Sequence, residues 1–107
     1  MKLAFLILGA LLLAAPALAD DATIPLKLKN HRFTPAEIHV KANVVNIIVM
    51  ANDDPTAEEF DSTALKVEKV VAGNSSGNVR IRPLAPGRYP FMGEYHSDTA
   101  QGVVVAE

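Results

Sequence analysis

PGRYPFMGEYH, residues 86–96, combines a turn signal with a strand pattern. A Pro-Gly pair opens it, and this pair predicts a turn because proline and glycine supply backbone angles that tight turns need. Tyr89, Phe91 and Gly93 then occupy every second position, which is the spacing of side chains on one face of a β-strand. The segment therefore predicts a turn followed by a half-buried strand that leads to His96.

Short segments of the same kind run through the rest of the chain. Turn residues such as NDDPT (52–56) and GNSSG (73–77) separate them. Short strands at roughly 8–12-residue spacing predict an all-β, antiparallel Greek-key sandwich or barrel of about seven strands. An immunoglobulin-like module has the same pattern, so periodicity leaves both open. The segments are TIPLKLKN (23–30), EIHVKA (37–42), VVNIIVMA (44–51), AEEFDS (57–62), LKVEKVVAG (65–73), NVRIRPL (78–84) and GVVVAE (102–107).

The first 19 residues have the pattern of a secretory signal peptide. Lys2 precedes the apolar run LAFLILGALLLAA, and ALA at 17–19 is a small-residue cleavage signal. The run is shorter than the ~20 apolar residues that a membrane-spanning helix needs. We therefore expect export, with cleavage between Ala19 and Asp20, and one domain over residues 20–107.

The composition of that domain excludes several classes of function. Twelve Asp and Glu face nine Lys and Arg, a formal charge of −3 that does not suggest nucleic-acid binding. The chain has no cysteine, so disulfides, thiolate ligands and a lipid anchor are excluded. A small exported domain of this kind is stabilised by tight packing, or by a metal held through His, Met or carboxylate groups.

Several segments read together resemble the cupredoxin family, and the resemblance covers essentially all of residues 20–107. In that family an F-x-P-x-x-I/L-x-V segment begins an early strand. Another strand ends at Asn before the first ligand loop, and P-G-x-Y-x-F leads to a loop with Cys, His and Met ligands. The matching segments are HRFTPAEIHVKAN (31–43), VMANDDPTAEEF (49–60), LAPGRYPFMGEYH (84–96) and GVVVAE.

The ligand positions implied by this resemblance are mostly changed. A blue-copper site takes two imidazoles, a thiolate and usually a long thioether contact. Only the second imidazole is present, as His96, so the chain is not expected to be a blue-copper protein. The first imidazole, thiolate and thioether positions fall at Glu58 or Glu59, at Gly93, and at Ala100 or Gln101.

Oxygen ligands are available in place of the missing ones. Carboxylates with one imidazole favour harder ions such as Fe²⁺, Fe³⁺ and Mn²⁺, and also accept Cu²⁺. We expect two loops carrying these groups to meet at one end of the sandwich. The candidate metal ligands are His96, Glu94, Glu59, Glu58, Asp61, Glu68 and Met92.

Strand alternation constrains this set. If Phe60 points inward, Glu58 shares its face while Glu59 and Asp61 point away, so one ion cannot take all three acids without a bulge or a second site. Glu94 and His96 share a side only if the chain stays extended past Gly93.

The remaining candidates are weaker. His39 lies between Ile38 and Val40, which predicts a solvent-facing position, and His31 lies at a turn on the surface. Met50 is interpreted as core packing.

EEFDS (58–62), GEYH (93–96) and DTAQG (98–102) further resemble the periplasmic cupredoxin-like component of bacterial ferrous-iron uptake systems. That resemblance implies a periplasmic protein that binds Cu²⁺ and/or Fe²⁺, with Mn²⁺ as a possible surrogate, and helps to oxidise iron. It also implies a periplasmic metal-binding partner and an oxidase-dependent iron permease in the inner membrane. Two alternatives stay open, a non-catalytic metal carrier and a metal-free interaction module.

Overall fold

The computed structural model describes residues 22–107, so the predicted signal peptide and its cleavage site lie outside the described residues. No helix within this range is long and apolar enough to cross a membrane. Residues 22–107 form nine strands and one 3₁₀ helix. In order these are β1 (Ala22–Lys29), β2 (Arg32–Thr34), β3 (Glu37–Val40), β4 (Asn46–Asn52), β5 (Glu58–Ser62), β6 (Val67–Val71), β7 (Ser75–Ile81), β8 (Gly87–Gly93), η1 (Glu94–His96) and β9 (Gln101–Ala106).

The strands form two sheets, which confirms the predicted all-β sandwich. Sheet A has the order β2-β1-β4-β7, and sheet B has the order β3-β9-β8-β5-β6. Two pairings, β1 with β4 and β3 with β9, are parallel, in contrast to the predicted antiparallel arrangement. β4 lies parallel to β1 because the chain crosses to sheet B for β3 and then returns beside β1. β9 follows β8 in the same sheet and pairs in parallel with β3 on its other side.

The local strand predictions hold well. β4, which covers most of the predicted segment VVNIIVMA (44–51), lies between β1 and β7 and is fully buried at every second residue. Pro25 lies in the part of β1 that does not pair with β2, since β2 pairs only with Lys27–Lys29. The missing amide of proline therefore costs no sheet hydrogen bond on that side.

Three phenylalanines fill the core next to the end of the sandwich where the candidate ligands lie. The rings of Phe60 and Phe91 stack with centroids 4.7 Å apart, and Phe33 meets Phe91 edge-on at 5.2 Å. All three are at most 5% exposed, and Met50 is fully buried as expected. Side chains alternate along a strand, so this packing also fixes the direction of two neighbouring positions. These are Glu58, two residues before Phe60, and Gly93, two residues after Phe91.

Candidate metal centre

Glu58 and His96 meet inside the end of the sandwich. Glu58, Phe60 and Ser62 point inward along β5, and the Glu58 side chain is fully buried. Nδ1 of His96 lies 2.7 Å from Oε2 of Glu58, and the imidazole is 28% exposed. The two loops expected to converge therefore do so at this pair.

The Glu58 carboxylate has hydrogen-bond partners on both oxygens. Oε1 accepts the backbone N–H groups of Tyr95 at 2.8 Å and Glu59 at 3.0 Å. Oε2 faces the His96 ring. A buried carboxylate without such partners is very costly, so these contacts allow an acid to occupy the interior.

Gly93 leaves room for this carboxylate. A Cβ atom at position 93 would lie 2.7 Å from Cδ of Glu58 and 2.8 Å from Cβ of Ala100. Ala100 is fully buried here, whereas Gln101 is exposed on the outer face. The carboxylate thus fills the space of a side chain at 93, and a thiolate site does not fit. The carboxylate and imidazole that are present suit Cu²⁺ better than Cu⁺.

Asn52, at the end of β4, shapes the loop that leads to Glu58. Its buried side chain donates from Nδ2 to the carbonyl of Thr56 at 2.9 Å, and its Oδ1 accepts the N–H of Asp54 at 3.0 Å. Gly73 packs against the carbonyl of Pro55, where a Cβ atom would overlap the backbone. These contacts fix the start of β5 and hence the position of Glu58.

Glu94 and His96 do not share a side, because the condition for it, an extended chain past Gly93, is not met. Residues 94–96 form a 3₁₀ helix rather than extended chain. With three residues per turn, positions two apart point in different directions. The ring of His96 turns to Glu58, while Glu94 turns to Asp61.

The remaining candidate ligands lie on the outer face of sheet B and form a second group, which we call the outer acidic cluster: Glu59, Asp61, Glu68 and Glu94. Asp61 pairs in register with Glu68 on one side and with Met92 on the other. Met92 is 37% exposed on this face. The structure therefore separates these residues from Glu58 and His96. No group of three or more His, Asp or Glu side chains within residues 22–107 is already arranged to hold a metal ion.

Mutual repulsion marks the outer acidic cluster. A hydrogen bond with Asp61 raises the pKa of Glu94, and partial desolvation and the neighbouring acids add to the effect. Partial desolvation, followed by the charges of Glu68 and Asp61, raises the pKa of Glu59. Carboxylates that repel one another gain from a bound cation.

His31 contacts the centre and was missed by sequence reasoning. Its ring stacks on that of His96 with centroids 3.5 Å apart and 9° between the planes. Asn30 and His31 form the two-residue turn between Lys29 and Arg32, with φ angles of 55° and 59°. Such turns favour Asn-Gly, and the left-handed conformation costs a residue with a side chain roughly 1–2 kcal/mol. The signal available in the sequence was a histidine after Asn30, at the turn position where glycine is favoured.

Asp54 stabilises this turn through hydrogen bonds to its backbone. Its carboxylate accepts the N–H of Asn30 at 2.7 Å and of His31 at 2.9 Å. Burial of Asp54 acts to raise its pKa, but the hydrogen bonds from His31 and Asn30 outweigh burial, and the pKa is lowered. The same loop thus positions both Glu58 and His31.

His39 is on the outer surface, as expected. Its Nδ1 lies 3.0 Å from Glu107 and its Nε2 2.9 Å from Glu37.

Comparison with known proteins gives one family and one curated relative. A model described as a cupredoxin-like domain matches residues 2–106. The uncharacterized protein RP394 of Rickettsia prowazekii (strain Madrid E) is 37% identical over 82 residues. The match covers 77% of this chain and 66% of that protein, so this chain spans about two thirds of its length.

Solved structures share the fold at low identity. The metal-binding domain of the Cu(I)-exporting P-type ATPase CopA of Streptococcus pneumoniae, solved with Cu(I), has a TM-score of 0.72 at 15% identity, covering 85% of this chain and 91% of that one. Reduced auracyanin of Roseiflexus castenholzii gives 0.64 at 13%, covering 83% and 99%. Amicyanin of Paracoccus versutus gives 0.62 at 14%, covering 85% and 86%.

Proposed function

Because the chain belongs to the cupredoxin-like domain family, we propose that it is an exported metal-binding protein that holds Cu²⁺ at Glu58 and His96 and assists the oxidation and uptake of ferrous iron. The observation that carries the proposal is the 2.7 Å approach of the buried Glu58 carboxylate to the partly exposed His96 imidazole. Carboxylate and imidazole are both metal ligands, and partial exposure of the ring gives an ion access.

The donor types favour the oxidised metal. The Streptococcus domain was solved with Cu(I), a soft ion that prefers sulfur ligands. Position 93 here has no side chain, and the space beside it is occupied by the Glu58 carboxylate. A site of nitrogen and oxygen donors binds Cu²⁺ in preference to Cu⁺.

The outer acidic cluster is the proposed place for iron as substrate. Anionic oxygen ligands stabilise Fe³⁺ more than Fe²⁺, so they favour loss of an electron from bound iron. Bound Cu²⁺ would supply a one-electron acceptor, so that each Fe²⁺ oxidised to Fe³⁺ reduces one Cu²⁺ to Cu⁺, with dioxygen as the terminal acceptor that restores Cu²⁺. A periplasmic metal-binding partner and an inner-membrane iron permease, implied by resemblance, would supply and remove the iron.

Calorimetric titration of metal-stripped protein with Cu²⁺ tests the proposal. Wild type is expected to bind Cu²⁺, and His96→Gln to bind it at least about tenfold more weakly, since even groups that only support a ligand contribute roughly 10–100-fold to metal affinity. His39→Gln is the matched control, because it removes an imidazole on the outer surface. Steady-state oxidation of Fe²⁺ by catalytic amounts of protein then separates an oxidase from a non-catalytic carrier.

One observation favours a metal-free interaction module as the second candidate. The Glu58 carboxylate already has three nitrogen neighbours from the protein, so it needs no ion to be buried. Flat titrations with Cu²⁺, Fe²⁺ and Mn²⁺ in wild type would favour this candidate over the metal-binding protein.

A further inference from the structure

We propose that the outer face of sheet A binds the outer face of sheet B of a second copy of this chain. We call the outer face of sheet A the basic face, after its four exposed cations, Lys27, Lys29, Arg32 and Arg80. The contact is distinct from the Glu58–His96 pair, because Glu58 points into the sandwich rather than out of either sheet.

An apolar strip runs along the middle of the basic face. In β1 and β4 every second residue is buried, and the residues between them therefore point outward. The outward residues of β4 are apolar and only half-buried: Ile47, Val49 and Ala51. Beside them lies a groove of about 360 Å³, whose lining includes Pro25 and Pro35. An apolar centre with charged residues around it is the usual anatomy of a protein–protein interface.

The cations lie at both ends of this strip with little to neutralise them. Lys29 pairs in register with Arg32, next to Lys27, and together they form one corner of the face. Arg80 lies at the other end, beside Ile47. Among residues 22–107 these four cations make one salt bridge, from Lys27 to Asp53 at 3.9 Å. The basic face therefore attracts a surface that carries carboxylates beside apolar groups.

The outer face of sheet B is a surface of that kind. The outer acidic cluster occupies one corner of it, and Met92 pairs in register with Asp61 at the edge of that corner. From Met92 an apolar strip continues to Pro90 and to Val103, its neighbour in β9. Val103 is half-buried, and Pro90 and Met92 are exposed. Each face thus has an apolar strip with a charged corner, and the two corners have opposite signs.

A second copy fits the basic face better than a membrane does. Proteins that lie on membranes place Trp, Tyr or Phe at the interface, and no aromatic residue projects from the strands of the basic face in the described part of the chain. The two complementary faces lie on opposite sides of one sandwich. Copies therefore join head to tail, a contact that can repeat along a chain of copies.

The strength of this contact depends on salt. Exposed charge pairs are individually weak, and the screening length falls from about 10 Å at 0.1 M salt to about 3 Å at 1 M. In sedimentation velocity, metal-stripped wild type should sediment faster as its concentration rises at low salt, and should become monomeric at high salt. Metal-stripped protein is used because iron, in the proposed function, would occupy the same acids.

Two variants each remove one side of the contact. Lys29→Gln with Arg32→Gln changes the basic face, and Glu59→Gln with Glu68→Gln changes the outer acidic cluster. Each should weaken self-association by about tenfold, the upper range for two exposed charge pairs. An equimolar mixture should form 1:1 pairs, because the intact acidic cluster of one variant meets the intact basic face of the other. Formation of these pairs also shows that both variants are folded.

Lys41→Gln with Lys69→Gln is the matched control. It also removes two exposed positive charges, and Lys69 pairs in register with Phe60, on the inner side of β6. This variant should associate as wild type does. If it loses as much affinity as the basic-face variant, net charge rather than the basic face governs association, and the proposal is overturned.

Three further results would overturn the proposal. The first is wild type that stays monomeric at low salt and millimolar protein. The second is a mixture of the two variants that forms no pairs. The third is monomeric wild type that binds vesicles of phosphatidylglycerol through Lys29 and Arg32, which would assign the basic face to an anionic membrane instead.

Discussion

Gly93 and Glu58 act as a pair at the scale of single residues. The carboxylate of Glu58 occupies the space into which a side chain at 93 would extend. Alternation along β5 was enough to predict that Glu58 points inward while Glu59 points outward. That the acid from β5 would fill the space beside Gly93 could not be predicted, because it depends on how β5 and β8 pair across the sheet.

The contact between Gly93 and Glu58 predicts that substitutions at these two positions change the free energy of unfolding in a non-additive way. Gly93→Ala places Cβ 2.7 Å from Glu58 and should reduce the free energy of unfolding by about 1–3 kcal/mol, as overpacking usually does. In a Glu58→Ala background the same substitution should cost at least ~0.5 kcal/mol less. Urea unfolding of the four proteins measures this coupling, and additive costs would contradict the account.

His31 shows the limit of sequence reasoning at this scale. It lies in an ordinary-looking turn, and nothing local indicates that its ring will contact His96, which is distant in the chain. The signal that was present, histidine after Asn30 in place of glycine, concerns the backbone and does not identify the contact.

At the scale of secondary-structure elements, the predicted strands match the observed ones closely, while their ends and neighbours match less well. β2 was not predicted because it has only three residues, and short strands carry little periodicity. The 3₁₀ helix of residues 94–96 was not predicted either, and because of it the condition under which Glu94 and His96 would share a face is not met. The parallel pairings depend on the path between sheets, which local patterns do not contain.

We predict that the contact between His39 of the edge strand β3 and Glu107 stabilises the protein in a pH-dependent way. Hydrogen bonds to Glu107 and then Glu37 raise the pKa of His39 above its ordinary 6.5, and Arg88 is the other charge nearby, 3.5 Å from Glu37. The stabilisation that protonated His39 provides is complete below the pKa that His39 has in the unfolded chain. It is lost as pH rises through the higher pKa of His39 in the folded protein. The melting temperature of metal-stripped wild type should therefore exceed that of His39→Gln at pH 6 and approach it as pH rises past the folded value. A constant difference between the two curves would show that the imidazole has no such role.

At the scale of the whole molecule, sheet B separates two groups of potential ligands. Glu58 faces the interior with His96, and the outer acidic cluster lies on the opposite, outer face of sheet B. The sandwich itself followed from alternation and turn residues. Alternation along β5 also predicted that the acids would divide into two groups unless a bulge brought them together. The sequence did not decide between these two possibilities.

The division predicts two separable metal-binding activities. Glu59→Gln with Glu68→Gln should weaken binding of Mn²⁺, a redox-inert substitute for Fe²⁺, by about tenfold and leave Cu²⁺ affinity unchanged. Glu58→Gln should have the opposite effect, because it changes only the inward-facing group. Titrations of each variant with each ion measure this, and a common loss of both affinities in either variant would indicate one shared site.

The most direct test of the central claim, that Glu58 and His96 bind one metal ion together, is a crystal structure of protein loaded with Cu²⁺, with anomalous scattering at the copper edge to locate the ion. The account predicts a copper peak about 2.0–2.2 Å from a carboxylate oxygen of Glu58 and from a ring nitrogen of His96, the range for divalent ions at such donors. Copper bound only at other residues, with the 2.7 Å contact between Glu58 and His96 intact, would contradict it.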